Sequence, residues 1–400
     1  MTLTLGPPIT PWRAFKADPA DWFSPEEIAT SRRYLRGLRP AQMAKAALGV
    51  VVTLAIIGFG ITGKVIRFLG GGPWELQVAE AVAMLIVADS ICGLGFAAWR
   101  ELSYDKRWER SNQTPRQFVT DQVKNLAIGA VLLSVLAVPI WAVVRATSLW
   151  WLWAWVIFAL FTAVLATLFP VVILPRFNTF TPLEDGELRT ALLATARLVE
   201  ADVSEILVED TSKRDRRTNA YVAGLGRTRR LVICDTMVVQ PPDELTCVAA
   251  HELGHWKLRH SARLVPFMVV TSLVAFAVVG ATLPTHTVLR FAHARSLADP
   301  VMVLPFLGLF MVALALTNLA TAWLSRVHER QADLFALEAL GASCVPSFLA
   351  MMRTLYTYNL ADLTPGPWKR LKATHPHGAE RLAMTSAWAA RRDSKSPTQG

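Results

Sequence analysis

The sequence predicts a mainly α-helical, polytopic membrane protein: a bundle or barrel of about six spans, interrupted by one α+β domain. Three observations carry this. Of 400 residues, 53% are apolar and 18% charged, with a mean hydropathy of +0.35; that balance is too apolar for an ordinary soluble globule. Six segments are long and apolar enough to cross a bilayer, at roughly 20 residues of helix per crossing. Between the fourth and fifth, residues 175–263 are the only sizeable stretch that reads as a water-exposed domain.

Residues 1–45 form an N-terminal segment. Its start, "MTLTLGPPITPWRAFKADPADWFSPEE", has no basic run followed by an apolar core, so no cleavable signal is expected and the first span acts as the anchor. Four spans fall within 46–174, at about 46–63, 77–99, 125–144 and 148–174. The third carries no charge, and the fourth opens "SLWWLWAWVIF", a tryptophan cluster suited to a membrane interface. In the second, Glu80 is close enough to the end to reach the interface, whereas Asp89 implies a wet interior. The last two spans, 264–283 and 301–324, have Pro266 and Pro305 near their starts, where helices tolerate proline.

Loop charges set the orientation. Lys and Arg number seven in the first 45 residues and six between spans two and three, against two, one and two in the loops 64–76, 145–147 and 284–300. That alternation puts both termini and the 175–263 insertion in the cytoplasm. The net charge of +10 is explained by such loops, so nucleic acid is not expected as a partner. The four cysteines, Cys92, Cys234, Cys247 and Cys344, lie far apart and indicate neither a disulfide framework nor a cysteine metal site.

Within the insertion, "GELRTALLATARLVEA" has helical periodicity, and "SEILVED" and "RRLVICDTMVV" read as short strands. "NAYVAGLGRTRR" reads as a strand entering a glycine-containing turn. "PPDELTCVAAHELGHWKLRH" reads as a helix: proline and acids begin it, and Lys257, Arg259 and His260 suit its C-terminal dipole. Residues 325–390 form a second cytoplasmic stretch, opening on a helix "SRVHERQADLFALEALG", and 391–400 read as a disordered tail.

His251 and His255 are four apart, so a helix sets both imidazoles on one face, able to grip one ion. Glu252 points beside that face, where a carboxylate can take a proton from water that zinc has acidified. Gly254 allows close approach to the helix. Alone, the pair also fits two surface histidines on an amphipathic helix. A third ligand is therefore required. In "VHERQADLF", Glu329 and Asp333 share one helical face, and a His₂Glu set with one open position is an established catalytic zinc arrangement. Asp333 could then accept the Nδ1 hydrogen of a ligand histidine and fix its tautomer. Without the HELGH motif, Glu329 and Asp333 would read as a solvated face beside Arg326 and Arg330. His328, a competing ligand, lies on a different face.

"HELGHWKLRH" together with "ERQAD" resembles the integral-membrane CAAX prenyl endopeptidases, a family of zinc metalloproteases. "FSPEEIATSRRYL", "SNQTPRQFVTDQVK", "LPRFNTFTPLEDGEL", "TSKRDRRTNAYVAGLGRTRRLVICDTMV" and "THPHGAERL" are similar to further family motifs in the same order, across roughly residues 22 to 385. The resemblance implies membrane helices enclosing a chamber, with a cytoplasmic gluzincin-like zinc protease domain. It implies one zinc per chain on His251, His255 and Glu329, and Glu252 as the catalytic base. It gives a catalytic role to Asp333, read here as orienting a ligand histidine, and to His375, as an oxyanion donor supported by Arg381. Asn219, Ala220 and Tyr221 resemble the edge strand that holds the substrate backbone; Arg381 completes that substrate-facing set. Eukaryotic members carry one more span ahead of the "PEEIATSRRYL" region.

The function expected is zinc endopeptidase activity on peptides or proteins at the bilayer, lipidated or membrane-bound ones included, by CAAX-type processing or membrane-protein quality control. Abundant Ala, Leu, Arg and Trp suggest a bacterial inner membrane. The alternative, a transporter or metal-handling protein, would place ligands inside the spans, and the six apolar segments contain no histidine.

Overall fold

The computed structural model describes residues 10–224 and 230–394. It divides into two compact units: a membrane unit of Gly37–Ala166 and Pro266–Leu319, and a second unit made of the chain up to Arg36, Thr167–Val265 and the chain from Ala320 onward.

Six helices are long and apolar enough to cross a membrane, and the six apolar segments of the sequence fall on them. They include α1 (Pro25–Gly58), α2 (Trp74–Trp99, continued by a wider π turn at Arg100–Tyr104), α3 (Pro115–Ala146) and α4 (Trp150–Leu168). The start of α3 explains "NQTPRQ": Thr114 Oγ1 accepts from the Gln117 backbone N–H, and Gln117 Oε1 accepts from that of Thr114, with Pro115 in the first turn. The fourth span is shorter than the 148–174 expected, because α4 gives way at Phe169 to a π turn and then a 3₁₀ turn. The membrane unit's core gathers Val82, Trp141, Ala154, Phe276, Met302, Phe306 and Phe310. Phe158, Phe276 and Phe310 form an aromatic cluster with centroid separations of 4.7 to 5.5 Å. Two interior indoles are satisfied: Trp141 Nε1 donates to Ala298 O at 3.2 Å and Trp155 Nε1 to Val269 O at 2.9 Å. Val131, Leu160, Val270 and Leu316 are exposed, apolar surface of the kind that spans present to lipid. Glu80 departs from expectation: instead of reaching out, its Oε2 is buried without a hydrogen-bond partner among the described residues, while Asp89 is exposed.

The second unit contains a four-stranded sheet in the order β1-β2-β4-β3, from β1 (Phe180–Pro182), β2 (Glu205–Glu209), β3 (Ala220–Ala223) and β4 (Arg230–Cys234). β1 is antiparallel to β2, β2 parallel to β4, and β3 antiparallel to β4 with Tyr221 opposite Val232. Among the described residues β3 is therefore an edge. Residues 225–229 of the expected turn lie outside the described residues. α5 (Glu187–Leu198) precedes β2, and α6 (Pro242–Lys257) follows β4. α7 (His260–Thr282) starts almost at once, because Arg259 adopts a left-handed backbone with φ of 55°. Arg259 and His260 thus lie beyond the end of α6, not in its last turn.

The sixth span and the "HERQAD" stretch are one helix, α8 (Val303–Leu340), rather than two. It is followed by α9 (Val345–Tyr358), α10 (Pro367–Lys372) and α11 (Gly378–Asp393). α11 takes in the start of the stretch read as a disordered tail; residues 395–400 lie outside the described residues. The core of this unit joins Leu192, Ile206, Leu231 and Ile233 to Leu245, Val248, Leu337, Phe348 and Leu382. That packing fixes α6 and α8 side by side. A Cβ on Gly254 would lie 2.8 Å from Phe335 Cδ1, so the approach of the two helices depends on glycine there.

Candidate metal centre and peptide cleft

α6 and α8 bring His251, His255 and Glu329 together, with one donor atom from each within 4.8 Å of the others. His251 Nε2 lies 3.2 Å from His255 Nε2 and 3.6 Å from Glu329 Oε2, and His255 Nε2 lies 3.4 Å from Glu329 Oε1. Bonds of roughly 2.0–2.1 Å at tetrahedral angles would separate ligand atoms by roughly 3.3 Å, so this triangle suits one zinc-sized ion. Glu329 supplies a second sign. Its Oε2 is buried and makes no aligned hydrogen bond among the described residues, although His375 Nδ1 is only 2.9 Å away. Two imidazole nitrogens and a carboxylate facing one point are a donor set that attracts a cation. Burial works against charge on His251, yet its contacts with Asp333 and Glu329 override it and lift its pKa to about 10.

Around these three, the polar groups are arranged in layers. Asp333 is fully buried, with Oδ1 2.9 Å from His251 Nδ1. Arg381, from α11, grips Asp333 with both Nε (2.8 Å) and Nη2 (2.5 Å), and its Nη1 lies 3.8 Å from Glu329 Oε2. Arg330, which would belong to a solvated face only without the HELGH motif, is buried: its Nε donates to Glu380 at 2.7 Å. Arg326 hydrogen-bonds the carbonyls of Leu371 and Ala373, on the approach to His375. "THPHGAERL" can now be read residue by residue. His375 reaches Glu329, His377 caps α11 on Glu380 N, Glu380 holds Arg330 and Arg381 holds Asp333.

His328 does not join the triangle. It is buried and stacked on His260, with centroids 4.2 Å apart and planes 5° from parallel. His260 Nδ1 lies 2.9 Å from His255 Nδ1, and its Nε2 lies 3.0 Å from Gln331 Oε1. Sequence reasoning missed this contact because it treated His260 as a helix-end cation; the available signal was "LRH", a histidine just past a helix that carries a candidate ligand near its end.

The triangle opens into a cavity of about 960 Å³ whose lining includes Asn219, Ala220, Tyr221, Glu252, His375 and Arg381. Glu252 Oε1 lies 4.0 Å from His251 Nε2, and burial raises the Glu252 carboxyl pKa while the two histidines pull it back. His375 is 61% exposed at the rim. Val248, Met351, Met352 and Leu355 give the cavity an apolar wall. Of the strand residues, Asn219 gives its carbonyl to Cys234 N, and the Tyr221 hydroxyl donates to buried Glu209 at 3.0 Å.

The family model for peptidase family M48 matches residues 182–389, just over half of the chain, and one described as CAAX prenyl protease N-terminal, five membrane helices, matches 14–179. The chain belongs to peptidase family M48. It is similar to a CAAX prenyl protease 1 homolog of Arabidopsis thaliana, 28% identical over 90% of this chain and 87% of the relative. It is also similar to CAAX prenyl protease 1 of Saccharomyces cerevisiae, 29% identical over 90% and 86%. The crystal structure of S. mikatae Ste24p shares the fold, with a TM-score of 0.78 at 23% identity over 91% of this chain and 90% of that one. This M48 chain is thus a multi-pass membrane metallopeptidase, and the transporter reading falls away. The N-terminal family model names five membrane helices, whereas four of the six candidate spans fall within the residues it matches.

Proposed function

We propose that this M48 peptidase is a zinc endopeptidase that cleaves extended peptides, from lipidated or membrane-bound proteins, in the cavity beside β3. His251, His255 and Glu329 hold one zinc, which when bound acidifies water and polarises the scissile carbonyl. Asp333 keeps a hydrogen on His251 Nδ1 and so leaves Nε2 free to ligate, and Arg381 holds Asp333 in place. Arg381 is then a support for that carboxylate more than a substrate contact. Glu252 accepts a proton from the attacking water and passes it to the leaving amine. His375 donates a hydrogen bond to the oxygen on which charge develops. The substrate backbone pairs with β3 as an added strand, near Asn219, Ala220 and Tyr221.

The observation that carries the reading is the ligand triangle with Glu252 in the same cavity. The names of the relatives favour CAAX-type processing. The positive-inside bias favours a cytoplasmic peptidase unit and cytoplasmic termini, and the composition a bacterial inner membrane. Nucleic acid has no part in it. The test is zinc content of detergent-purified protein and of Glu329→Ala, with casein and a prenylated CaaX peptide assayed on the same samples. About one zinc per chain, lost with cleavage in the variant, is expected; zinc indifferent to Glu329 would overturn the ligand set. Cleavage of casein alone would move the substrate class to unmodified segments.

A further inference from the structure

The two candidate ligand histidines are supported differently. Behind His251 stands a fully buried carboxylate, Asp333, held by Arg381. Behind His255 stands an uncharged chain of two side chains from two other helices. With His255 Nε2 facing Glu329, its hydrogen belongs on Nδ1, which therefore donates to His260 Nδ1 at 2.9 Å. His260 must then carry its own hydrogen on Nε2, and that nitrogen lies 3.0 Å from Gln331 Oε1, an acceptor. Every tautomer in the chain follows from the first, and no atom is left with the wrong partner. His260 is buried, and His328 stacks flat against it, so its ring plane is fixed as well. The left-handed turn at Arg259 is what brings His260 back beneath His255.

We infer that His260, held by Gln331 and His328, is a positioning residue that fixes the tautomer and ring orientation of His255 for metal binding. The inference rests on the proposed ligand set and extends it to a support that no carboxylate provides. It makes a prediction that damage to packing cannot imitate. Gln331→Glu puts a charged acceptor at the end of the chain, makes His260 a better acceptor for His255, and tightens zinc.

The experiment measures zinc content, and then zinc release to a chromophoric chelator, on the full-length protein in detergent. Wild type is compared with His260→Leu, His260→Asn and Gln331→Glu, and thermal unfolding of each metal-free form reports folding. His260→Leu is expected to weaken zinc roughly 10- to 100-fold, the usual loss for such a partner. His260→Asn, whose Oδ1 can stand where Nδ1 stood, restores much of that, and Gln331→Glu releases zinc more slowly than wild type. Zinc affinity in His260→Leu within about two-fold of wild type would overturn the inference while leaving the zinc site intact. So would equal losses in Leu and Asn with a weakened Gln331→Glu, which mark a packing role only. Wild type without zinc would overturn the proposed function itself, and this inference with it.

Discussion

In the membrane unit the deepest positions belong to Phe276, Leu283, Met302 and Trp141, whereas in the peptidase unit Asp333 is equally inaccessible and Arg330, Glu380, Glu329 and Arg381 are within 6% of it. The first core is held by shape. Its aromatic side chains interlock, and its stability is the sum of many small contacts. The second has an apolar core of its own and adds reciprocity between buried charges to it. Asp333 is tolerable because Arg381 and His251 answer it, and Arg330 because Glu380 does. Substitutions should therefore fail in different ways: a volume error in the first, and in the second an orphaned charge as well.

The sharpest separation comes from Glu252→Gln, which changes neither volume nor packing. Turnover should fall by roughly a thousand-fold or more, with zinc content and thermal unfolding unchanged; near-normal peptidase activity would remove Glu252 from the chemistry. Next in size, Glu380→Ala strands Arg330 in the interior and should cost about 3–5 kcal/mol. The paired change Arg330→Met with Glu380→Leu should recover most of it. A double variant no more stable than the single one would mean that the pair is not what holds this core. In the membrane unit, Gly280→Ala is the matching test of shape, since a Cβ there would lie 2.7 Å from Trp151 Cγ. About 1–3 kcal/mol of destabilisation is expected, with zinc unaffected. A loss of zinc in that variant would break the division between the two cores. The smallest effect belongs to Thr114→Ala, which removes the reciprocal cap of α3 at a cost of about 1 kcal/mol, read as a shift in unfolding temperature.

Much of the fold was legible because it depends on runs of like residues. An apolar run declares a span whatever it packs against, and "HELGH" and "ERQAD" each carry their spacing within one helical turn. What could not be read was reciprocity over distance. Nothing local to Arg330 distinguishes it from Arg326, and its burial depends on Glu380, fifty residues on. His260 looked like a helix-end cation because the break at Arg259 comes from a backbone turn that its side chain does not advertise. β1, only Phe180–Pro182, is too short for alternation to appear. Glu80 was misjudged for a related reason: its distance from the end of the span was visible, but the direction in which it points was not.

The peptidase unit is assembled from three separate stretches of chain, with membrane spans encoded between them. Glu329 follows His255 by 74 residues, and Arg381 comes later still. On the proposed ligand set, a chain still on the ribosome has its HELGH helix made long before the third ligand exists, and the support for Asp333 arrives only near the end of synthesis. On that same proposal, a half-made chain lacks one ligand of three, and the set is complete only once both of the last two spans have been made.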